Sequence, residues 1–157
     1  MNSIARGAVA FSAAGLIALA SWEGFESNPY KDVGGIWTDG FGNTVAVQPN
    51  KKVTVPAALD RLSNNLARFE KAVIECTTRP LTQGQYDAYV KFSYNVGVTA
   101  FCNSTLVKKF NAGDFIGSCN ELKRWIYVKG KRVQGLVNRR EAERSMCLSG
   151  LKNDGGV

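Results

Sequence analysis

Residues 22–38 read Trp22-Glu23-Gly24-Phe25-Glu26-Ser27-Asn28-Pro29-Tyr30-Lys31-Asp32-Val33-Gly34-Gly35-Ile36-Trp37-Thr38, and the chain changes character inside them. Upstream, Leu16, Leu19 and Glu23 stand at i, i+3 and i+7, the spacing of one side of a helix. Downstream, from Glu26 to Asn50, the pairs Gly34-Gly35, Asp39-Gly40 and Gly42-Asn43 punctuate short apolar pieces, which predicts a small β-hairpin region. Glu23 thus closes a helix, where the negative end of the helix dipole and the apolar neighbours Trp22 and Phe25 both disfavour a bare carboxylate. A carboxyl kept in its acid form is what a general acid requires. Asp32, in the polar turn after Tyr30-Lys31, can stay ionised, and the Thr38 hydroxyl can hold a water or support an attacking group. Taken singly, Glu23 reads as a helix end and Asp32 as a turn residue. Together they are two carboxyl groups in unlike surroundings, the arrangement used for glycoside hydrolysis.

Composition narrows the chemistry further. The 157 residues are 45% hydrophobic and 10% aromatic, enough to bury a core in one ordinary domain or two small lobes. Histidine is absent, which excludes Ser-His-Asp and Cys-His catalysis and the histidine-bearing zinc motifs. Proton transfer must then run through carboxylates, Tyr, Lys or Cys, and neither a metal nor a cofactor is expected. Twenty Lys and Arg against thirteen Asp and Glu give a formal charge of +7, which favours polyanionic partners. Residues 118–144 carry eight of those cations (Lys123, Arg124, Lys129, Lys131, Arg132, Arg139, Arg140 and Arg144) against Glu121, Glu141 and Glu143. That segment reads either as a solvated helical face or as a surface for an anionic partner. No nucleic-acid recognition motif accompanies it, so nucleic acid is not an expected partner. Cys76, Cys102, Cys119 and Cys147 contain no C-x-x-C pair and leave three disulfide pairings open, with four buried thiols as the alternative in a reducing compartment.

Between Arg6 and Glu23 lie sixteen uncharged residues, Gly7 to Trp22, dominated by Ala and Gly. The segment is short for a membrane-spanning helix and only weakly apolar. An uncleaved export signal, a cleavable one ending in Ala18-Leu19-Ala20, and an ordinary buried helix all fit it. Further along, Thr54 can cap a helix over about 55–75, with Leu59, Leu62, Leu66, Phe69 and Val73 on its apolar face. Thr82-Gln83-Gly84-Gln85 makes a capping box for a helix running to Gly97 that buries Tyr86, Tyr89, Val90 and Phe92 or Tyr94. Asn103-Ser104 and Asp114 cap two short helices, and a last helix covers about 138–148. The fold class is therefore α+β, mainly α: a β-hairpin lobe, a long connecting helix and a helical lobe.

The spacing Glu23-x8-Asp32-x5-Thr38 is that of phage-type lysozymes, glycoside hydrolase family 24, and its surroundings resemble that family too. Ala13-Ala14-Gly15-Leu16, Trp22-Glu23-Gly24-Phe25, Pro29-Tyr30-Lys31-Asp32 and Gly35-Ile36-Trp37-Thr38 are similar to its amino-terminal lobe. Leu81 to Ala88 and Phe92-Ser93-Tyr94-Asn95-Val96-Gly97 resemble its central helix. Asn103 to Leu106, Asn111 to Asp114 and Gly135 to Glu143 resemble its last helices.

The resemblance implies a lysozyme-like two-lobed fold with residues 1–22 as an N-terminal segment and first helix, 23–53 as the catalytic hairpin lobe, 54–76 as the connecting helix, 77–150 as the helical lobe and 151–157 as a tail. It implies a monomeric endolysin acting on bacterial peptidoglycan as an N-acetylmuramidase. Glu23 would protonate the leaving oxygen, Asp32 would act as base or nucleophile, and Thr38 would position the water. Asn95 would line the glycan cleft, and Arg139 would approach the catalytic glutamate. Two departures stand close to the site. Asn43 occupies a position where the family usually has His, and could serve in substrate binding without titrating. Asp39 replaces a usual apolar residue and is expected to add negative charge near Asp32. Relatives pair Cys76 with Cys102 and Cys119 with Cys147. Residues 7–22 are similar to a signal-arrest-release segment, which implies transient tethering to the host inner membrane in an inactive form, then a periplasmic location. A cytoplasmic protein released with a holin is the alternative. A catalytically dead glycan-binding relative and membrane disruption by the basic carboxy-terminal helices are the competing functional readings.

Overall fold

The first helix, α1 (Ala13–Glu23), is defined at both ends by single residues. Ser12 caps it, its hydroxyl accepting the Gly15 N–H at 2.9 Å. Gly24, at φ +71°, ends it by returning its N–H to Ala20 O at 3.1 Å, a left-handed turn that a residue with a Cβ would resist. The computed structural model describes residues 3, 4 and 10–151. Gly7 to Val9 of the N-terminal segment, and 152–157 of the tail, lie outside the described residues. The chain divides into two compact units, residues 16–67 and a second made of residues up to 15 together with those from 68 onward. The boundary falls inside the connecting helix.

In residues 16–67 the antiparallel strands β2 (Glu26–Lys31) and β3 (Trp37–Gly40) form a hairpin in which Tyr30 faces Thr38 and Lys31 faces Trp37. The register shifts between Glu26 and Tyr30, so the strands are bulged. The helix α2 (Val55–Cys76) begins after Thr54, whose hydroxyl accepts the Ala57 N–H. The apolar set of this unit is small: Leu19, Phe41, Val53, Ala58, Leu62 and Leu66 are buried, and Phe25 packs on Phe41 at 5.3 Å.

In the second unit, β1 (Ser3–Ile4) pairs antiparallel with β4 (Leu81–Thr82). The helix α3 (Gln83–Val96) opens with the expected capping box, Thr82 and Gln85 exchanging side-chain-to-backbone bonds at 3.1 and 2.9 Å. Then follow α4 (Val98–Cys102), α5 (Thr105–Asn111) capped by Ser104, and α6 (Phe115–Glu121) capped by Asp114. A short hairpin, β5 (Tyr127–Val128) and β6 (Lys131–Arg132), precedes α7 (Gln134–Ser149). The sequence did not announce that hairpin, and α7 begins four residues before the expected start. The core is aromatic: Phe92 meets Trp125 at 5.2 Å and Phe101 at 6.3 Å, and Tyr89 meets Phe110 at 5.7 Å. Phe92 is fully buried and Tyr94 only partly, which settles which of the two faces inward. Disulfides join Cys76 to Cys102 and Cys119 to Cys147, the pairing that the resemblance implied, with Cα atoms 5.5 and 5.7 Å apart.

Residues 10–15 are tied to this second unit by polar bonds. Phe11 N donates to Glu70 Oε1 at 2.8 Å, and Tyr86 OH donates to the same oxygen at 3.0 Å. Asp87 accepts both the N–H and the hydroxyl of Ser12, while Gln83 Nε2 reaches Ala10 O. The N-cap of α1 is therefore itself held by a carboxylate from α3.

Candidate active site

Within residues 16–67 the three residues Glu23, Asp32 and Thr38 are set by two turns and one strand. Glu23 is the last residue of α1, half-buried, and the Gly24 turn fixes the direction in which the chain leaves it. The backbone of Gly42, at φ +77°, passes beside its carboxyl: a Cβ placed there would lie 3.7 Å from Glu23 Oε2. The left-handed φ at 42 is what calls for glycine there, and it brings that backbone alongside the Glu23 carboxyl.

Asp32 stands at the tip of the β2–β3 hairpin. Its Oδ1 accepts the N–H groups of Gly34 at 2.8 Å and Ile36 at 2.9 Å, while its backbone N–H and C=O are bonded to Ile36 and Gly35. Four bonds thus orient one residue. Both side-chain bonds fall on Oδ1, which leaves Oδ2 without a hydrogen bond among the described residues. Thr38, 4% exposed, lies on β3 and donates its hydroxyl hydrogen to Ile36 O at 3.1 Å. With its one hydrogen used, that oxygen can only accept from a further partner.

Behind the hairpin is a polar cluster. Asp39, 2% exposed, takes Arg61 Nη1 on Oδ2 at 2.8 Å and Asn43 Nδ2 on Oδ1 at 3.0 Å. Asn43 also donates to Val45 O and accepts from Val45 N and Asn65 Nδ2, and its main chain pairs with that of Asp39 at 3.0 and 2.9 Å. The side chain of Asn43 is thus occupied within the unit, where it braces the turn that carries Gly42. The extra negative charge expected from Asp39 is matched by Arg61. The two departures from the family pattern are one hydrogen-bonded pair. Arg61 and Asn65 were missed in the sequence, although their spacing of four places them on one side of α2.

The other two residues implied by the resemblance lie in the second unit. Asn95, near the end of α3, accepts from Arg140 Nη2 and lines a cavity of about 740 Å³ with Arg68, Phe69, Tyr94 and Asn103 among its walls. Arg139, 7% exposed, donates to Glu143 at 3.4 Å. Glu143 is fully buried and also ion-paired to Arg140, which stacks over the Phe92 ring at 4.9 Å and donates to Trp125 O. Burial pushes the Glu143 carboxyl up and the Arg140 guanidinium down, against the attraction each exerts on the other. Arg139 and Arg140 of α7 therefore belong to an internal cluster, while Arg144 donates to Asn120 and to the exposed Glu141.

The phage lysozyme family model matches residues 20–143. A SAR-endolysin of bacteriophage PS119 is 34% identical over 154 residues, covering 96% of this chain and 92% of its own length. Among solved structures, the endolysin from Escherichia coli O157:H7 phage FAHEc1 is 36% identical with a TM-score of 0.83, covering 92% of this chain and 96% of that one. The active form of P1 phage endolysin Lyz is 27% identical with a TM-score of 0.80, over 92% of this chain and 88% of that one.

Proposed function

This chain belongs to the phage lysozyme family and is a phage endolysin, a glycoside hydrolase that lyses the host cell wall, and from that premise we propose that it cuts the β-1,4 bond between N-acetylmuramic acid and N-acetylglucosamine in peptidoglycan. The observation that carries the reading is the pairing of acceptors on the hairpin. Asp32, oriented through Oδ1, keeps Oδ2 as an acceptor, and Thr38 Oγ1, its hydrogen used on Ile36 O, is an acceptor too; we assign to this pair the activation and positioning of the attacking water. Glu23 delivers its proton to the departing glycosidic oxygen, and Asp32 takes the proton of the attacking water. Asn95, on the wall of the cavity in the helical unit, contributes to holding the glycan.

Replacement of Glu23 by Gln removes the transferable proton with little change of shape. The expected result is a loss of about a thousandfold in reducing ends released from purified peptidoglycan, within the usual range for general acid catalysis, with an unchanged melting temperature. The variant also fails to clear chloroform-treated Gram-negative cells. Hydrolysis that survives the substitution overturns the assignment, and lysis that survives without hydrolysis points to membrane disruption. A wild-type protein that binds peptidoglycan and leaves it intact is instead a glycan-binding relative.

We further propose that residues 7–22 tether the enzyme to the host inner membrane before release into the periplasm. Three things support this: SAR-endolysin relatives, an Ala- and Gly-rich segment with weak preference for lipid, and the polar bonds that hold residues 10–15. Among the described residues no helix is long and apolar enough to cross a membrane, and α1 appears in its docked form with Leu19 fully buried. A segment in the bilayer cannot give Phe11 N and Ser12 N to Glu70 and Asp87, and it carries Glu23, the next residue of the chain, to the bilayer surface, so tethered enzyme is inactive. The segment holds no cysteine, so its release needs no thiol exchange within it. Equal specific activity in membrane-bound and released fractions overturns this reading, and a wholly cytoplasmic protein awaiting a holin-made hole supports the alternative.

A further inference from the structure

The β5–β6 hairpin buries neither of its faces. Directly opposed residues of an antiparallel pair share a face, so Tyr127 stands with Arg132 and Val128 with Lys131. All four are exposed, Tyr127 at 60% and Val128 at 51%. The turn at the tip is a tight left-handed one, Lys129 at φ +49° and Gly130 at φ +76°, and Val133 N closes the base on Ile126 O at 2.9 Å. A two-stranded hairpin of this size gains little from its own pairing, and this one leaves the chain neighbours Tyr127 and Val128 in solvent.

Its charge is equally one-sided. Between Glu121 and Glu141 the sequence carries seven cations and no acid. The fold then sorts them: Arg139 and Arg140 go inward to Glu143, Arg124 pairs with Glu121, and Lys123 is exposed on the turn of helix before the hairpin. Lys129, Lys131 and Arg132 remain exposed on the hairpin, and no ion pair among the described residues includes them. An exposed hairpin that combines three cations outside those ion pairs, Arg132 donating to the amide of Gln134, with a tyrosine and a valine suits a flat surface that is anionic outside and apolar just beneath.

We propose that the β5–β6 hairpin docks on the surface of a bilayer containing anionic phospholipid. Lys129, Lys131 and Arg132 meet lipid phosphates while Tyr127 and Val128 enter the interfacial layer. This placement is independent of the muramidase assignment, since the hairpin carries none of Glu23, Asp32 or Thr38. It would hold the released enzyme beside the membrane it has left.

The test is co-sedimentation of the full chain with vesicles of phosphatidylcholine alone and of phosphatidylcholine mixed with phosphatidylglycerol. The N-terminal segment can bind both, so the quantity read is the preference for the anionic vesicles. Each cation near such a surface contributes about a fivefold gain in binding, so replacing Lys129, Lys131 and Arg132 together by Gln is expected to erase a preference of roughly a hundredfold. Hydrolysis of lipid-free peptidoglycan by the same variant stays unchanged, which also shows that it is folded. Tyr127→Ser weakens binding and keeps the dependence on lipid charge, and high salt abolishes the wild-type preference. A triple variant that retains the preference overturns the proposal. So does one that loses binding to purified peptidoglycan while keeping the vesicles, which would make the cell wall the partner.

Discussion

The two units of this chain handle charge in opposite ways. In the helical unit, Glu143, Arg140 and Lys91 are at most 1% exposed. There burial works against every one of them, raising the carboxyl and lowering the two cations, and only their mutual proximity keeps the group tolerable. In the hairpin unit, Glu23 and Asp32 are half-buried, and Asp32 is oriented by two backbone N–H groups. One unit is bound by an aromatic core, two disulfides and an internal ion cluster. The other has few buried apolar side chains and no cysteine, and relies on glycine turns and the Asp39–Arg61–Asn43 cluster. The residues proposed to carry the chemistry stand where packing is lightest and local backbone geometry does the positioning.

Removing a cross-link is the strongest way to break that contrast. The disulfide Cys119–Cys147 closes a loop of 28 residues and Cys76–Cys102 one of 26, both within the helical unit. Loop closure of that length is worth about 3.5 kcal/mol, so replacing Cys119 and Cys147 together by Ser should lower the unfolding free energy by about that amount. Urea denaturation measures it. At low temperature the folded fraction of the variant should keep its specific activity, because the hairpin contains no cysteine. An unchanged urea midpoint would mean that the aromatic core holds the helical unit without help.

A smaller effect is expected from the polar cluster of the hairpin unit. Arg61→Gln leaves Asp39 buried with one oxygen unpaired, but Arg61 is 37% exposed and water can reach part of the gap. The expected cost is therefore about 2 kcal/mol, below that of breaking a fully buried pair. Adding Asp39→Asn should recover most of it, since the amide carries no charge to strand. A double-mutant cycle in urea reads the coupling, and costs that simply add would show that the cluster is not a unit. If the turn at Gly42 depends on this brace, kcat falls in Arg61→Gln even where the protein is fully folded.

Much of this arrangement was legible in the sequence, and the failures share a cause. The capping box at Thr82–Gln85, the apolar stripe of α2 and the Gly-rich turns are local signals, each needing only near neighbours, and each was matched in the structure. The start of α7 was missed because Val133 precedes it with no side chain to cap it, so nothing marks the boundary. The β5–β6 hairpin was missed because its strands are two residues long and bury neither face, leaving no alternation to detect. Arg139, Arg140 and Glu143 fitted a solvated helical face by pattern and lie in the core by tertiary contact. For the proposed site, the family resemblance named Glu23, Asp32 and Thr38, while the link from Asp39 to Arg61 spans 22 residues and has no local signature.

The smallest effect sharpens the comparison from the surface of the helical unit. Glu121, unlike Glu143, is held below its ordinary value, chiefly because the Lys109 ammonium donates to it at 2.6 Å. A carboxyl that is more acidic in the folded than in the unfolded chain stabilises the fold above the unfolded value. That contribution is lost as pH falls through the lower, folded one. Lys109 is 39% exposed, so screening keeps the gain under about 1 kcal/mol. Between about pH 5 and pH 3, wild type should therefore lose stability more steeply than Lys109→Gln, with the two converging at the acid end. Urea midpoints taken across that range decide it. Parallel curves would mean that the acid sensitivity of this unit arises elsewhere, and Glu143 points the other way, since a carboxyl raised by burial gains nothing from the loss of a proton.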